Sequence, residues 1–312
     1  MQELIWVAGH RGMVGSAVVR ALSAKGRQVL TVARADLDLM DQRAVEDWVR
    51  RHKPSSVILC AARVGGISAN AALPVEFLLD NLCIQTNTIS AAHKADVNNL
   101  VFLGSSCIYP RLAGQPIKES SLLTGSLEPT NESYAIAKIS GIKLCQAYMK
   151  QYGRRYISVM PCNLYGSGDN FDLNSSHVIP ALIHKMMIAK RQGNPSVQVW
   201  GSGNPLREFM HVDDLAAGVI YCHDNYSGLE QINCGSGMEV TVRHLTGLIA
   251  PEIGFEGSFE FDTSKPDGPP RKVMDSGRLR ALGWSPEIEL ADGLRTTVEW
   301  FQATLPMTLP YP

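Results

Sequence analysis

The sequence predicts an α/β fold, with a doubly wound parallel sheet followed by a smaller C-terminal lobe. Three observations carry this prediction. Short continuous apolar runs alternate with helical patterns through the first half of the chain, as in strands buried on both faces with helical crossovers between them. A glycine cluster follows the first apolar run directly and opens a helical pattern. After Pro161 the texture changes to stretches rich in turn residues.

Taken in order, "LIWVA" at Leu4–Ala8 reads as the first strand. Val14, Ala17, Val18, Ala21 and Leu22 then recur at helical spacing, and Gly26 ends that helix. Residues 29–33, 56–62, 100–106 and 156–160 read as further strands separated by helical patterns. "NLYGSGDNFD", "QGNPSVQVWGSGNPLREF" and "DTSKPDGPPRK" lack regular periodicity and mark the looser lobe. The expected division is a cofactor domain over residues 1–165, joined by a returning segment at about 211–236, and a substrate lobe over residues 166–312. Ligands in such sheets bind beyond the carboxyl ends of the strands. The site is therefore expected between that edge and the second lobe.

Bulk composition narrows the function. The chain has 312 residues, 45% hydrophobic and 19% charged, with a formal net charge of -1. This offers no basic footprint for nucleic acid and no polybasic membrane patch, so an anionic ligand needs a local cluster of cations. No apolar run reaches the roughly 18 residues of a spanning helix. The N-terminal apolar run leads into glycines, without the basic flank and cleavage site of a signal peptide, and reads as a strand. Cys60, Cys83, Cys107, Cys145, Cys162, Cys222 and Cys234 are scattered and odd in number, without a CxxC pair. They argue against a disulfide framework and against a thiolate metal site, and for a reducing, cytoplasmic compartment; no metal is expected.

Gly9, Gly12 and Gly15 lie between the first strand and the first helix. Glycine permits a tight turn and a close approach to a pyrophosphate, which the free N–H groups of the helix start then bind. The spacing is GxxGxxG, and in this position it indicates a Rossmann-type dinucleotide loop, with His10, Arg11, Met13 and Val14 completing it. Arg34 closes the second strand and Arg11 lies in the loop; two cations near the adenosine ribose favour the 2′-phosphate of NADP, against Asp36 two residues on.

Tyr134 and Lys138 lie one helical turn apart, after a strand ending in "GSSCIYP" that presents Ser105. A phenol is a weak acid at neutral pH, and a nearby ammonium is expected to lower its pKa. With a serine hydroxyl on the same carbonyl oxygen, these three side chains suit proton delivery to a carbonyl as it receives a hydride.

At this point the chain resembles known families. Ser105, Tyr134 and Lys138 match the S…YxxxK triad of the short-chain dehydrogenase/reductases, and "REFMHVDD" resembles the RxFxxVDD segment of their extended, nucleotide-sugar branch. More narrowly, "AGHRGMVGSA", "GSSCIYP", "EPTNESYAIAKISGIKLC", "NLYG", "SHVIPALI" and "WGSGNPLREF" resemble the GDP-L-fucose synthase family, from near the N-terminus to about "SKPDGPPRK". The resemblance implies conversion of GDP-4-keto-6-deoxy-D-mannose to GDP-L-fucose by inversion at C3 and C5 and NADPH-dependent reduction at C4. It implies that Cys107 is the epimerisation base and His177 the acid. Further cofactor contacts are implied at Leu103, Gly104, Ser105, Ser106, Lys138, Pro161, Cys162, Asn163, Leu164 and His177. Because net charge supplies no attraction for a diphosphate, Lys185, Arg207, Arg271 and Lys272 are the candidate local cations; by motif position the resemblance implies Lys185 and Arg207 on the GDP-sugar, Trp200 packing nearby and Asp267 on ribose or base. Two positions depart from the family pattern. Lys185 stands where arginine is common, and Ser258 where a basic residue is expected. A homodimer is implied, pairing residues 74–95 and 133–152 across a two-fold axis. The alternatives are a related GDP-deoxysugar enzyme, such as a GDP-L-colitose synthase inverting C5 only, and, less favoured because the tyrosine and lysine are both present, a silent NADP-binding sensor.

Overall fold

The structure is a computed structural model describing residues 3–173, 175–265 and 267–304, without the side chain of Ile67. In chain order the first half runs β1 (Leu4–Ala8), α1 (Met13–Ala24), β2 (Gln28–Leu30), α2 (Gln42–His52), β3 (Ser56–Leu59), α3 (Ile67–Ala72), α4 (Pro74–Lys94), β4 (Asn99–Leu103), α5 (Glu132–Tyr152) and β5 (Arg155–Pro161). The second half runs β6 (Asn163–Tyr165), α6 (Val178–Gln192), β7 (Ser196–Trp200), β8 (Leu206–His211), α7 (Val212–Asn225), β9 (Ile232–Cys234), β10 (Glu239–Thr241), α8 (Val242–Ile253), β11 (Ser258–Asp262), β12 (Arg271–Lys272), α9 (Gly277–Ala281) and α10 (Leu290–Thr304).

Six strands form the main sheet in the order β2-β1-β3-β4-β5-β9, every pair parallel. The doubly wound fold expected from the apolar runs is the fold observed. All four residues of β3 are buried, as a strand covered by helices on both faces requires. Local signals fix the helix ends. Asp41 caps α2 by accepting from the Ala44 N–H at 3.0 Å, and α5 stops at Gly153, whose φ of 68° is left-handed.

Several predicted strands are shorter than their apolar runs. Pairing of β2 ends at Leu30, and the amides of Asp36 and Leu37 fold back onto the Ala33 carbonyl, turning the chain at Arg34. The run at 56–62 leaves β3 after Leu59, where Ala61 passes close under the glycine loop. Ser106 belongs to a 3-10 turn, Ser106–Ile108, beyond β4.

After β5 the chain leaves the sheet, returns through α7, which packs on α1, and adds β9 beside β5. The remaining segments build a second layer. There β8 lies between β10 and β12, with β6 also on β8, and β7 pairs with β11. A separate apolar core, including Ile183, Met186, Leu245, Ile249, Leu294 and Phe301, ties α6, α8 and α10 together.

Candidate active site

The glycine loop divides into two kinds of position. Gly9 has a φ of +87°, and a Cβ there would lie 2.6 Å from the Ala61 backbone nitrogen; one at Gly15 would lie 2.1 Å from the Gly9 carbonyl oxygen. The protein itself demands glycine at both. Gly12 differs: its φ is -76° and a Cβ would come no nearer than 3.6 Å to the Gly9 oxygen. The space it leaves lies at the N-terminus of α1, where no side chain caps the helix and the first turn carries no acidic residue. Uncapped N–H groups beside open space fit a pyrophosphate. Arg11 and Arg34 are both exposed, and neither pairs with a carboxylate among the described residues. They are free to meet a 2′-phosphate.

β4 and β5 deliver the next residues side by side, with Leu103 in register with Val159. Leu103, Gly104, Ser106, Pro161 and Cys162 are buried along these strand ends, while Asn163 and Leu164 are half-buried. Asn163 donates from Nδ2 to the Glu208 carbonyl at 2.9 Å. Ser105 accepts on Oγ from the Cys107 N–H at 3.2 Å, and its hydroxyl is near enough to the Tyr134 phenol to favour the ionised form. Lys138 donates from Nζ to the Leu103 carbonyl at 2.8 Å and lies 5.8 Å from the Tyr134 ring centroid.

The electrostatics of this trio differ from the expectation. Burial pushes the Tyr134 phenol well above its usual value, a negative charge on Cys107 pushes it further, and the nearby Ser105 hydroxyl offsets only part. Lys138 does not pull the phenol down. Burial lowers the lysine itself to about 8, and its ammonium is directed at the Leu103 carbonyl. Tyr134, 9% exposed, is therefore a protonated donor at neutral pH.

Cys107 lies two residues beyond Ser105, inside the 3-10 turn. Its Sγ receives Asn131 Nδ2 at 3.3 Å and Lys272 Nζ at 3.8 Å. His177 stands at the N-cap of α6, yet its side chain makes no capping bond. The residue is solvent-exposed, yet protein packed around its ring desolvates it. That enclosure and the Lys272 ammonium hold the imidazole below its ordinary pKa.

On the second lobe, Trp200 is 53% exposed at the end of β7, so it is no core residue. Lys185 and Lys265 each lie 5.4 Å from its ring centroid. Lys185 donates to the Gln198 carbonyl at 3.1 Å, and Arg207 to the Leu206 and Asp267 carbonyls, both at 2.9 Å. Desolvation lowers the pKa of both cations. The Asp267 carboxylate accepts from the Ser202 N–H at 2.7 Å and hydroxyl at 2.8 Å, anchoring the turn after β7.

Two expected diphosphate cations are otherwise engaged. Arg271 forks onto Glu239 with bonds of 2.7 and 2.6 Å, and Lys272 turns to Cys107. Ser258 pairs with Ser196 at the start of β7, whereas Trp200 pairs with Asp262 at its end. Four residues of strand, about 13 Å, separate Ser258 from the tryptophan. A missing cation at Ser258 thus has little bearing on this cluster. Sequence reading missed Asn131 and Lys265. Asn131 was hidden by its position before α5, where asparagine reads as a cap, and nothing local marks Lys265. Among the described residues no cluster of three or more His, Cys, Asp or Glu could hold a metal, and no helix is long and apolar enough to cross a membrane.

A dinucleotide loop, a Ser-Tyr-Lys trio and a thiol within one cleft define a sugar-nucleotide oxidoreductase with epimerase chemistry, and the chain belongs to the NAD dependent epimerase/dehydratase family, whose model matches residues 5–235. Within it the chain groups with the GDP-L-fucose synthases. It is 56% identical to GDP-L-fucose synthase 1 of Arabidopsis thaliana, covering 95% of this chain and 92% of the relative. It is 52% identical to GDP-L-fucose synthase of Escherichia coli, covering 96% and 97%. GDP-L-colitose synthase of Yersinia pseudotuberculosis is more distant, at 38% over 95% and 97%. Among solved structures, a GDP-L-fucose synthetase from Naegleria fowleri bound to NADP superposes with a TM-score of 0.89 at 29% identity, covering 97% and 95%. A GDP-6-OMe-4-keto-L-xylo-heptose reductase from C. jejuni gives 0.92 at 34%, covering 97% and 99%.

Proposed function

We propose that this chain is an NADP(H)-dependent epimerase/reductase that converts GDP-4-keto-6-deoxy-D-mannose to GDP-L-fucose. The observation that carries the reading is the thiol of Cys107 beside two hydroxyls, Ser105 and Tyr134, that can hold one ketone oxygen. The ketone acidifies the protons on both neighbouring carbons. Cys107 removes a proton at C3 or C5, and the two hydroxyls hold the resulting enolate oxygen. His177 returns a proton from the opposite face, which inverts the centre. Bound NADPH supplies the hydride for C4. Tyr134 would then give its proton to the C4 oxygen, with Lys138 held one helical turn away by its bond to the Leu103 carbonyl.

Gly9 to Gly15 hold the pyrophosphate, and Arg11 and Arg34 the 2′-phosphate. Lys185, Arg207 and Trp200 receive the GDP moiety, and Asp267 supports them through Ser202. The boundary between cofactor domain and substrate lobe falls near residue 165, with 211–236 returning to the sheet. Two copies pair through α4 and α5, where Val75 is 66% exposed and Leu79 and Ile136 are exposed as well. Sedimentation of a monomer at micromolar concentration would contradict that pairing. The seven free thiols suit a reducing cytoplasm.

The test of the activity is direct. Purified protein with GDP-4-keto-6-deoxy-D-mannose and NADPH should yield GDP-L-fucose by NMR. A 6-deoxy product with C3 and C5 not inverted would refute the epimerase assignment, and inversion at C5 alone would favour the colitose-type reading.

A further inference from the structure

Lys272 was expected among the diphosphate cations, but its surroundings suit another task. It lies on β12, in register with Arg207 of β8. Successive residues of a strand face opposite ways. Arg271 accordingly points to Glu239 and Lys272 into the cleft. The segment is strapped on both sides. Met274 donates its N–H to the buried Glu208 carboxylate at 2.9 Å, and Val273 donates to Gln115 Oε1 at 3.0 Å. A lysine side chain is flexible, so fixing its backbone is how a fold aims it.

What it is aimed at is the sulfur. Lys272 makes no ion pair with a carboxylate among the described residues, and Cys107 Sγ is its hydrogen-bond partner at 3.8 Å. Asn131 reaches the same atom at 3.3 Å. Asparagine at the start of a helix ordinarily caps it. Asn131 stands at the N-cap of α5 without a side-chain capping bond, and its Oδ1 is buried with no partner. The cap has been forgone, and the amide is oriented to donate to Cys107.

We propose that Lys272 and Asn131 are positioning residues for the epimerisation base, a two-donor cradle that holds Cys107 Sγ as a thiolate aimed at the substrate. A thiolate accepts both donors, whereas a neutral thiol is a weak acceptor, so the pair favours the anion. The titratable groups coupled to the sulfur are Lys272 from β12, which donates to it, and Tyr134 from α5, whose phenol its charge would raise; His177 from α6 is in turn coupled to Lys272. Of these the ammonium favours negative charge on sulfur. The inference rests on the reading of Cys107 as base, and the experiment separates the two.

The experiment uses the NADP-loaded protein. Alkylation of Cys107 by iodoacetamide is followed by mass spectrometry between about pH 5.5 and 9.5 in wild type, Lys272→Met, Lys272→Arg and Asn131→Ala. Lys272→Met should move the alkylation profile up by about one pH unit, a roughly tenfold loss of reactive thiolate at neutral pH, with Lys272→Arg recovering most of it. Asn131→Ala should move it less, in the same direction. Solvent-deuterium exchange at C3 and C5 should fall about tenfold in Lys272→Met, while KM for the GDP-sugar changes less than about threefold. An unchanged alkylation profile with a large rise in KM would overturn the proposal and return Lys272 to the diphosphate. If Lys272→Met does not fold, an unshifted profile in Asn131→Ala overturns it equally. Normal exchange in Cys107→Ser would remove the base reading instead, whatever the alkylation profiles give.

Discussion

Gly12→Ala isolates the cofactor loop from the fold. The backbone at Gly12, φ -76° and ψ 166°, is open to any residue, and the new methyl would stand 3.6 Å from its nearest neighbour, an ordinary contact. The folding cost is therefore only that of a poorer N-cap, about 1 kcal/mol or less, or about 2 °C in Tm. That methyl would occupy the space before the uncapped first turn of α1, where the pyrophosphate is proposed to bind. Displacing one or two charge-assisted N–H bonds, each about 1.5–3 kcal/mol, should raise KM for NADPH between roughly tenfold and roughly 10⁴-fold. Gly15→Ala is the contrasting control. Its Cβ would meet the Gly9 carbonyl oxygen at 2.1 Å, so the loop itself must move and thermal stability should fall with cofactor affinity. The assay pairs steady-state kinetics in NADPH with a thermal melt. Gly12→Ala with wild-type KM and wild-type Tm would refute the pyrophosphate site at this helix start.

Arg34→Ala should reduce the preference for NADPH over NADH by about 10–100-fold, since one charge-assisted contact to the 2′-phosphate is lost; equal ratios in mutant and wild type would remove Arg34 from the site. Tyr134→Phe should keep the fold and bind NADPH while turnover falls roughly 10²–10⁴-fold, measured by NADPH oxidation; wild-type turnover would exclude the phenol as acid. The depressed Lys138 also predicts a pH dependence. Below pH about 8 the ammonium is charged both folded and unfolded, and its burial is a cost. Between there and its ordinary value of 10.5 the folded chain sheds the proton first, so that cost is relieved and stability rises with pH. Denaturant titrations should therefore show wild type gaining on Lys138→Met as pH rises from about 8 to 10, and parallel curves would contradict the assignment.

The sheet was legible because its signals are local: apolar runs of strand length, a glycine loop after the first of them, and caps at helix ends. Strand ends were less so, since hydrogen-bond pairing, not hydrophobicity, stops β2 at Leu30. The trio of Ser105, Tyr134 and Lys138 could be read from spacing, but the direction of its electrostatics could not. Burial of Tyr134 depends on α4 and the sheet closing over it, and Lys138 has a carbonyl partner 35 residues away. Around Cys107 the donors come from Asn131 and Lys272, 24 and 165 residues distant, so no local pattern unites them. Arg271 and Lys272 look equivalent in sequence, and only the alternation of β12 sends one to Glu239 and the other into the cleft.

That arrangement bears on how one cleft can house two reactions. Epimerisation needs a ketone at C4, because the protons on C3 and C5 are acidic only while it is there; reduction destroys it. The acid and base must therefore act before the hydride arrives, and from a protonation state that serves both steps. A negative charge on Cys107 raises the Tyr134 phenol, so an anionic sulfur and a protonated phenol belong to the same state of the site. In that state the base is ready, the enolate oxygen meets two hydroxyl donors, and the proton needed for reduction is already in place. Once the sulfur has taken a proton from carbon, its pull on Tyr134 lapses and the phenol gives up its proton more readily. Lys272 opposes charge on His177, so an imidazole that is protonated gives up its proton more readily, while the same ammonium favours charge on Cys107; the proposed acid and the proposed base thus both answer to one cation. Removing that ammonium should therefore change the balance of exchange against reduction more than it changes binding.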